Sequence, residues 1–170
     1  SQPFAFRKYL LAHNGSVNIP DEVSETLGNW KAKIKSFNDS EIYFWYLIKE
    51  LSKGKEFSEA IRSFEETLWR LWKENRQNYS DISQPYYGLN TLFTDGEKLY
   101  AYCKYDESAQ TAPSLCFKDQ PVFQMSYFAD STHLIVASEK TNCEDNWQPL
   151  KSGQLLVGMV DKSKIKTVLK

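Results

Sequence analysis

The chain has 170 residues, the length of one ordinary domain with a sizeable hydrophobic core. Its 21 lysines and arginines nearly balance its 22 aspartates and glutamates, for a formal net charge of −1 at pH 7. This balance argues against a nucleic-acid partner or a polybasic membrane surface, and no apolar stretch approaches the length of a transmembrane span. We therefore predict a single domain over residues 1–170 that binds neither nucleic acid nor membrane.

The cysteines and histidines exclude further kinds of site. Three cysteines without a CxxC spacing are typical of a reducing compartment, so we expect a cytoplasmic protein. Two histidines cannot form a histidine-rich metal site, and no Cys/His pair has the spacing of zinc ligands. The sequence therefore predicts no metal site and no cofactor.

In chain order, the first predicted elements are a strand and a short helix. Residues 4–12 alternate loosely between apolar and polar side chains, which predicts a strand that runs into His13. Pro20 then opens a short helix over residues 21–28, with acidic residues in its first turn.

Two longer helices follow. Asn38 is a good N-cap residue and Glu41 stands three positions after it, as in a capping box. The helix that begins there is apolar nearly all round, which predicts burial on most sides. After Gly54, a second helix over residues 56–76 is amphipathic, with apolar residues at spacings of three and four. These are Phe57, Ile61, Phe64, Leu68 and Leu71.

In the second half of the chain the apolar pattern changes to a period of two. Asp95-Gly96 separates two alternating segments and predicts a β-hairpin. Further strands are predicted at 122–128, 133–137 and 154–160, with loops at 106–120 and 138–149 between them. A strand, then helices, then antiparallel strands indicate the α+β class, with helices covering a sheet.

His13-Asn14-Gly15, at the end of the first predicted strand, has two interpretations. Asn-Gly is a common tight-turn dipeptide, because both residues tolerate positive φ. Alternatively, the backbone N–H of the glycine and the side-chain NH2 of the asparagine are two donors that converge on one point. Two such donors make an oxyanion hole, which stabilises the charge that develops in acyl transfer.

Four segments place this motif in a larger pattern: "QPFAFRKYLLAHNGSV", "NDSEIYFWYLIKEL", "GLNTLFTDGEKLYAYCKY" and "VASEKTNCEDNWQPL". In this order they resemble the C-terminal portion of the class II glutamine amidotransferases, above all the stand-alone amidotransferase-like proteins. The chain departs from the family pattern at Gln2, where histidine is usual, and at Lys140-Thr141, where Pro-Leu is usual. The resemblance implies a four-layer αββα sandwich of the N-terminal-nucleophile hydrolase type, here lacking its first strands.

The resemblance also implies roles for single residues. Asn14 and Gly15 would form the oxyanion hole, and Asp39 would bind the α-amino group of substrate glutamine through a charge-assisted hydrogen bond. His13 would be a positioning residue and not a base. Asp95 is interpreted as the aspartate of a hairpin turn.

The nucleophile of this family is an N-terminal cysteine whose own α-amino group is the base, and no residue in hand fits that role. Ser1 is separated from Asn14 by a strand, Cys103 lies inside a predicted strand, and Cys116 and Cys143 lie in predicted loops. We therefore expect the cysteine to lie upstream of this chain, which alone would be inactive.

Two hypotheses from different classes follow. The first is a glutaminase that releases ammonia from glutamine through a cysteinyl thioester. The second is a non-catalytic amide-binding or regulatory module on the same fold. Expected partners are glutamine or a related amide and the upstream N-terminal segment, in the same or a second chain, and a homo-oligomer is possible.

Overall fold

Helices and strands occupy separate stretches of the chain, as the change in apolar period predicts. The computed structural model describes residues 1–106, 122–142 and 146–170. It divides into two compact units, one formed by Ser1–Gly15 with Gly88–Lys170 and the other by Ser16–Tyr87. Nearly all strand residues belong to the first unit and all helices to the second, which confirms the predicted α+β class.

The strands form two antiparallel sheets. They are β1 (Phe4–Phe6), β2 (Tyr9–Val17), β3 (Tyr86–Thr94), β4 (Lys98–Cys103), β5 (Ser126–Ala129), β6 (Leu134–Ala137), β7 (Gln148–Pro149), β8 (Gln154–Asp161) and β9 (Lys164–Leu169). Six strands form one sheet in the order β1-β2-β3-β4-β8-β9, and three form the other in the order β6-β5-β7. The predicted strands at 122–128, 133–137 and 154–160 correspond to β5, β6 and β8.

The start of the chain differs from the prediction of one strand over residues 4–12. Phe6 pairs with Tyr9 across a tight turn at Arg7-Lys8, where Arg7 has a φ of +54°. The second strand of this hairpin, β2, then continues to Val17. His13-Asn14-Gly15 therefore lies inside a strand, and its interpretation as a turn is wrong.

The hairpin at Asp95-Gly96 is confirmed, with Thr94 paired to Leu99. The backbone N–H groups of Glu97 and Lys98 donate to Asp95 Oδ1 over 2.9 and 2.8 Å. Burial raises the pKa of Asp95, but these two donors together lower it further, so the pKa lies below its usual value. The geometry agrees with a hairpin aspartate.

Two strands and part of a loop differ from the prediction. The predicted loop at 138–149 contains the two-residue strand β7, and residues 143–145 of that loop lie outside the described residues. The predicted loop at 106–120 also lies outside them from residue 107 onwards. Strand β9 was not predicted, because the turn before it is made by Lys162 and Ser163, at φ values of +47° and +63°, without glycine or asparagine.

The core of the first unit lies between its two sheets. Buried side chains of β4 and β8 meet buried side chains next to β5 and β7, and partly buried residues of β5 and β6 pack against them. The fully or almost fully buried members are Ala101, Cys103, Met125, Leu150 and Leu156. This sheet-on-sheet packing joins strands that are far apart in the chain.

The second unit contains three α-helices, α1 (Pro20–Glu25), α2 (Asp39–Leu51) and α3 (Phe57–Asn75). The predicted helix over 21–28 is shorter than expected and is followed by a 3₁₀ helix over Gly28–Lys33. The predicted apolar face of α3 is buried, and α2 is buried on most sides. Tyr43 stacks on Phe64 with ring centroids 4.4 Å apart, which joins α2 to α3. Within the described residues, no helix is long and apolar enough to cross a membrane.

The N-terminus of α2 confirms one predicted cap and corrects another. Asn38 is the N-cap, and its Oδ1 accepts from Ser40 N over 2.9 Å. Glu41 does not complete a capping box. Its carboxylate instead accepts hydrogen bonds from Lys35 and Ser36, in the segment before the helix. A capping box occurs at α3, where Glu56 N donates to Glu59 Oε2 over 2.9 Å.

Glu50, near the end of α2, is a buried carboxylate held by lysines. Lys53 Nζ and Lys55 Nζ each lie 2.6 Å from one of its oxygens, and the Glu50 side chain is only 4% exposed. Burial raises the pKa of Glu50, but the hydrogen bonds from Lys53 and Lys55 lower it further, to about 2. These ion pairs connect the end of α2 to the segment that leads into α3.

We expect Glu50→Gln to lower the free energy of unfolding at pH 7 by about 2 kcal/mol, because a neutral amide cannot compensate the lysines. The contribution of a carboxylate with a lowered pKa is present above its unfolded pKa. It is lost as the pH falls from the ordinary value of 4.5 towards about 2. Urea unfolding across this pH range measures the difference between wild type and variant, which should shrink with falling pH.

Glu74→Gln is the matched control. Glu74 pairs with Arg70 over 3.1 Å, but both side chains are more than half exposed. We expect its loss to cost about 0.3 kcal/mol. A pH-independent difference for Glu50→Gln would contradict the proposed contribution of the charge.

Candidate functional site

Gly15, in β2, lies in direct backbone contact with Gly88 of β3. A Cβ atom at position 15 would stand 2.0 Å from Gly88 O, and Gly15 has a φ of +156°. A Cβ atom at position 88 would in turn lie 3.3 Å from Gly15 Cα. The glycine is required by the close approach of two strands and not by a turn.

His13 fixes this contact from the buried side. Its Nε2 donates to Gly88 O over 3.1 Å, and the side chain is 6% exposed with its residue. Gln2, the residue at the position where the family usually has histidine, binds the backbone of His13 twice. Gln2 Nε2 donates to His13 O over 2.8 Å, and His13 N donates to Gln2 Oε1 over 2.6 Å. A ring nitrogen that donates to a carbonyl suits a positioning residue better than a base.

Asn14 is exposed, between buried His13 and Gly15. Its Nδ2 donates to Ser138 Oγ over 3.4 Å, a long hydrogen bond. This contact brings together the His-Asn-Gly motif and the Ser-Glu motif, which the sequence analysis quoted separately. Because an amide NH2 has two hydrogens, the bond to Ser138 is compatible with donation of the second one to a substrate.

Asp39 stands at the first position of α2 and is exposed. Its Oδ1 accepts from Ser40 N over 2.7 Å, and its Oδ2 accepts from Val17 N over 2.7 Å. Val17 is the last residue of β2. The carboxylate has further lone pairs, so both bonds leave it able to accept from an ammonium group.

The structure brings His13, Asn14 and Gly15 together with Gly88 and Ser138 in the first unit. Asp39 belongs to the second unit, where it binds Val17.

Asn90 is a residue to which sequence reasoning gave no role, although it opens the quoted Asn-x-x-x-Thr-Asp-Gly motif. It is 2% exposed, its Nδ2 donates to Phe123 O over 2.6 Å, and its Oδ1 accepts from Lys104 N over 2.9 Å. The side chain thus connects β3 to the segment before β5. A buried, fully engaged amide of this kind holds structure and does not bind substrate.

Cys103 cannot be the nucleophile in this structure. It is completely buried, and burial raises the pKa of its thiol to about 11. A reactive cysteine needs access and a lowered thiol pKa. Cys116 and Cys143 lie outside the described residues.

We expect Gly15→Ala to lower the free energy of unfolding by about 2–3 kcal/mol, because the new Cβ would force β2 away from Gly88. Chemical denaturation measures the change. The control is Gly28→Ala, where φ is +59° but no atom lies within 4 Å of the new Cβ. That variant should lose only about 1 kcal/mol of left-handed strain. Equal losses in both variants would show that the contact with Gly88 is unimportant.

The comparison with protein families identifies the class to which this fold and motif set belong. The family model "Glutamine amidotransferases class-II" matches residues 1–167. The chain therefore belongs to the class II glutamine amidotransferase family, as its motifs predict. Among curated proteins, none matches the chain.

Two solved structures have a similar fold. A glutamine aminotransferase class-II domain protein from Silicibacter pomeroyi is 22% identical with a TM-score of 0.67, over 98% of this chain and 70% of that one. The glutamine phosphoribosylpyrophosphate amidotransferase from B. subtilis, complexed with ADP and GMP, is 15% identical with a TM-score of 0.60. That match covers 98% of this chain but only 31% of the B. subtilis chain. The likeness confirms a fold of the N-terminal-nucleophile amidotransferase type.

Proposed function

We propose that this chain supplies the oxyanion hole and the amino-group anchor of a glutaminase that releases ammonia from glutamine. The observation that carries the proposal is the pair Asn14 and Gly15 in β2. Gly15 is fixed by its contact with Gly88, and the exposed Asn14 carries an NH2 group. Donors that are held in place before the reaction stabilise a developing oxyanion without reorganisation.

In the proposed reaction a cysteine thiolate attacks the amide carbon of glutamine, and the carbonyl electrons move to oxygen. Asn14 Nδ2 and Gly15 N donate hydrogen bonds to this oxyanion. When it collapses, the C–N bond breaks, the protonated base gives its proton to the leaving nitrogen, and ammonia departs. Water then attacks the thioester, which yields glutamate and the free thiol.

The proposal assigns the cysteine and its α-amino base to a segment upstream of Ser1. Its support from the structure is the state of Cys103, which is buried and has a raised thiol pKa. We also infer a cytoplasmic location, supported by the three cysteines without disulfide or zinc-ligand spacing.

The second candidate function is an amide-binding or regulatory module without catalysis. The same burial of Cys103 favours it, since the described part of the chain offers no accessible thiol. The two functions differ in one measurement. The enzyme binds and hydrolyses glutamine when the upstream segment is present, whereas the module only binds it.

We expect Asp39→Asn in the complete protein to raise KM for glutamine about ten-fold or more, with kcat little changed. The charge-assisted bond to the α-amino group exists in the ground state and the transition state alike. Steady-state ammonia release measures both constants.

The control for this prediction is Asn38→Ser, which replaces one good N-cap residue by another and leaves the Asp39 carboxylate in place. It should keep the wild-type KM. If Asp39→Asn also kept it, Asp39 would only hold Ser40 and Val17.

A further inference from the structure

Glu41 holds the segment that precedes α2 with a buried carboxylate. Lys35 N donates to Oε1 over 3.0 Å, and Ser36 donates to Oε2 through its N over 2.9 Å and its Oγ over 2.6 Å. Glu41 is 5% exposed. Burial raises its pKa, but hydrogen bonds from Ser36, Lys35 and Trp45 lower it further, so the pKa lies below its usual value.

Phe37 follows this segment and is the most exposed large hydrophobic residue among those described. Its relative exposure is 103%, and the next value is 67%, for Val160. Ser36 before it is bound by Glu41, and Asn38 after it caps α2. Phe37 therefore stands in solvent because the backbone on both sides is held, although a phenylalanine ring gains most from burial.

Two features of the second unit indicate that the ring faces a ligand. Phe37 lines a cavity of about 420 Å³ together with Ile34, Ile42 and Pro20, a size typical of small-molecule sites. Asp39 follows Phe37 by only two residues, at the start of the helix.

We propose that Phe37 is a substrate-contacting residue, which packs against the aliphatic part of the amide substrate bound at Asp39. Glu41 is the positioning residue that holds Phe37 in place for this contact. The inference rests on the proposed function in one respect, the role of Asp39 as the anchor of the substrate amino group.

The test is the Kd of L-glutamine, measured by calorimetry on the complete protein with its upstream segment. We expect Phe37→Ala to raise Kd about ten-fold, through loss of apolar contact. Phe37→Leu, which keeps an apolar side chain, should restore most of the affinity. In steady-state ammonia release, the same variants should change KM and leave kcat near wild type, because this contact is equal in ground and transition states.

Glu41→Gln tests the positioning role through a double-mutant cycle. It should raise Kd severalfold in the wild-type background and have no further effect in the Phe37→Ala background. Glu50→Gln is the control, because Glu50 is the other buried glutamate of α2. We expect it to lower stability without changing Kd.

The outcomes separate this inference from the proposed function. If Asp39→Asn weakens glutamine binding but Phe37→Ala does not, the role of Phe37 is overturned and the anchor role stands. If neither variant changes Kd, or wild type binds no glutamine, both are overturned. Additive effects of Glu41→Gln and Phe37→Ala would overturn the positioning role of Glu41.

Discussion

Replacement of Asn14 by alanine in the complete protein is expected to lower kcat for glutamine hydrolysis by about 10²–10³-fold, the usual loss for one oxyanion-hole donor. KM should change little, because the donor acts mainly on the charge of the transition state. Folding stability should also change little, because Asn14 is exposed and its one described hydrogen bond, to Ser138 Oγ, is long at 3.4 Å. Steady-state ammonia release and chemical denaturation measure the two effects separately.

Asn18→Ala is the matched control for this prediction. Asn18 also lies near the end of β2, but its Nδ2 donates to Gln84 O over 2.9 Å, a contact within the second unit. We expect this variant to lose about 1 kcal/mol of stability and to keep the wild-type kcat. Wild-type turnover in Asn14→Ala would reject the oxyanion-hole role.

The structure sharpens the question of why asparagine and glycine stand at positions 14 and 15. Local turn chemistry predicts a turn, yet both residues lie in β2. The glycine is explained by Gly88, which belongs to a strand that begins far along the chain. No local pattern could show this contact, because it arises from the pairing of distant strands. With the turn excluded, the oxyanion-hole hypothesis is the interpretation that still explains an exposed asparagine beside that glycine.

The long helices could be predicted because their signals are local. The apolar residues of α3 recur at helical spacing, and Asn38 caps the helix that follows it. Glu41 shows the limit of such signals. Its spacing from Asn38 is correct for a capping box, but Lys35 and Ser36 compete for the same carboxylate and bind it instead. Competition between acceptor sites depends on the path of the loop, which a residue spacing does not contain.

The candidate site could be predicted only in part, for the same reason. The motifs identified Asn14, Gly15 and Asp39, but not the partners that hold them. Ser138 binds Asn14 and Val17 binds Asp39 through contacts between distant segments. Phe37 has no sequence signal, since only its exposure in the folded chain distinguishes it from a core phenylalanine.

Residues 1–170 expressed alone are expected to release no ammonia from glutamine, and addition of the upstream segment should restore a cysteine-dependent activity. The physical reason is that an oxyanion hole and an amino-group anchor cannot cleave an amide without a nucleophile. The segment should also improve solubility. The six-stranded sheet of the described residues ends at β9, where Val168 and Leu169 are 44% and 46% exposed. Exposed apolar edges of this kind favour association.

The measurement is ammonia release with and without the upstream segment, in the same or a second chain, repeated after alkylation of thiols. Alkylation should abolish the restored activity, and replacement of the upstream cysteine by alanine should do the same. A variant of the complete protein with Cys103, Cys116 and Cys143 replaced by alanine is the control, and it should stay active and thiol-sensitive. Its thiol sensitivity would place the nucleophile outside residues 1–170, because no cysteine would remain within them. Robust thiol-sensitive turnover by residues 1–170 alone would contradict the prediction and assign the nucleophile to Cys116 or Cys143, since Cys103 is buried.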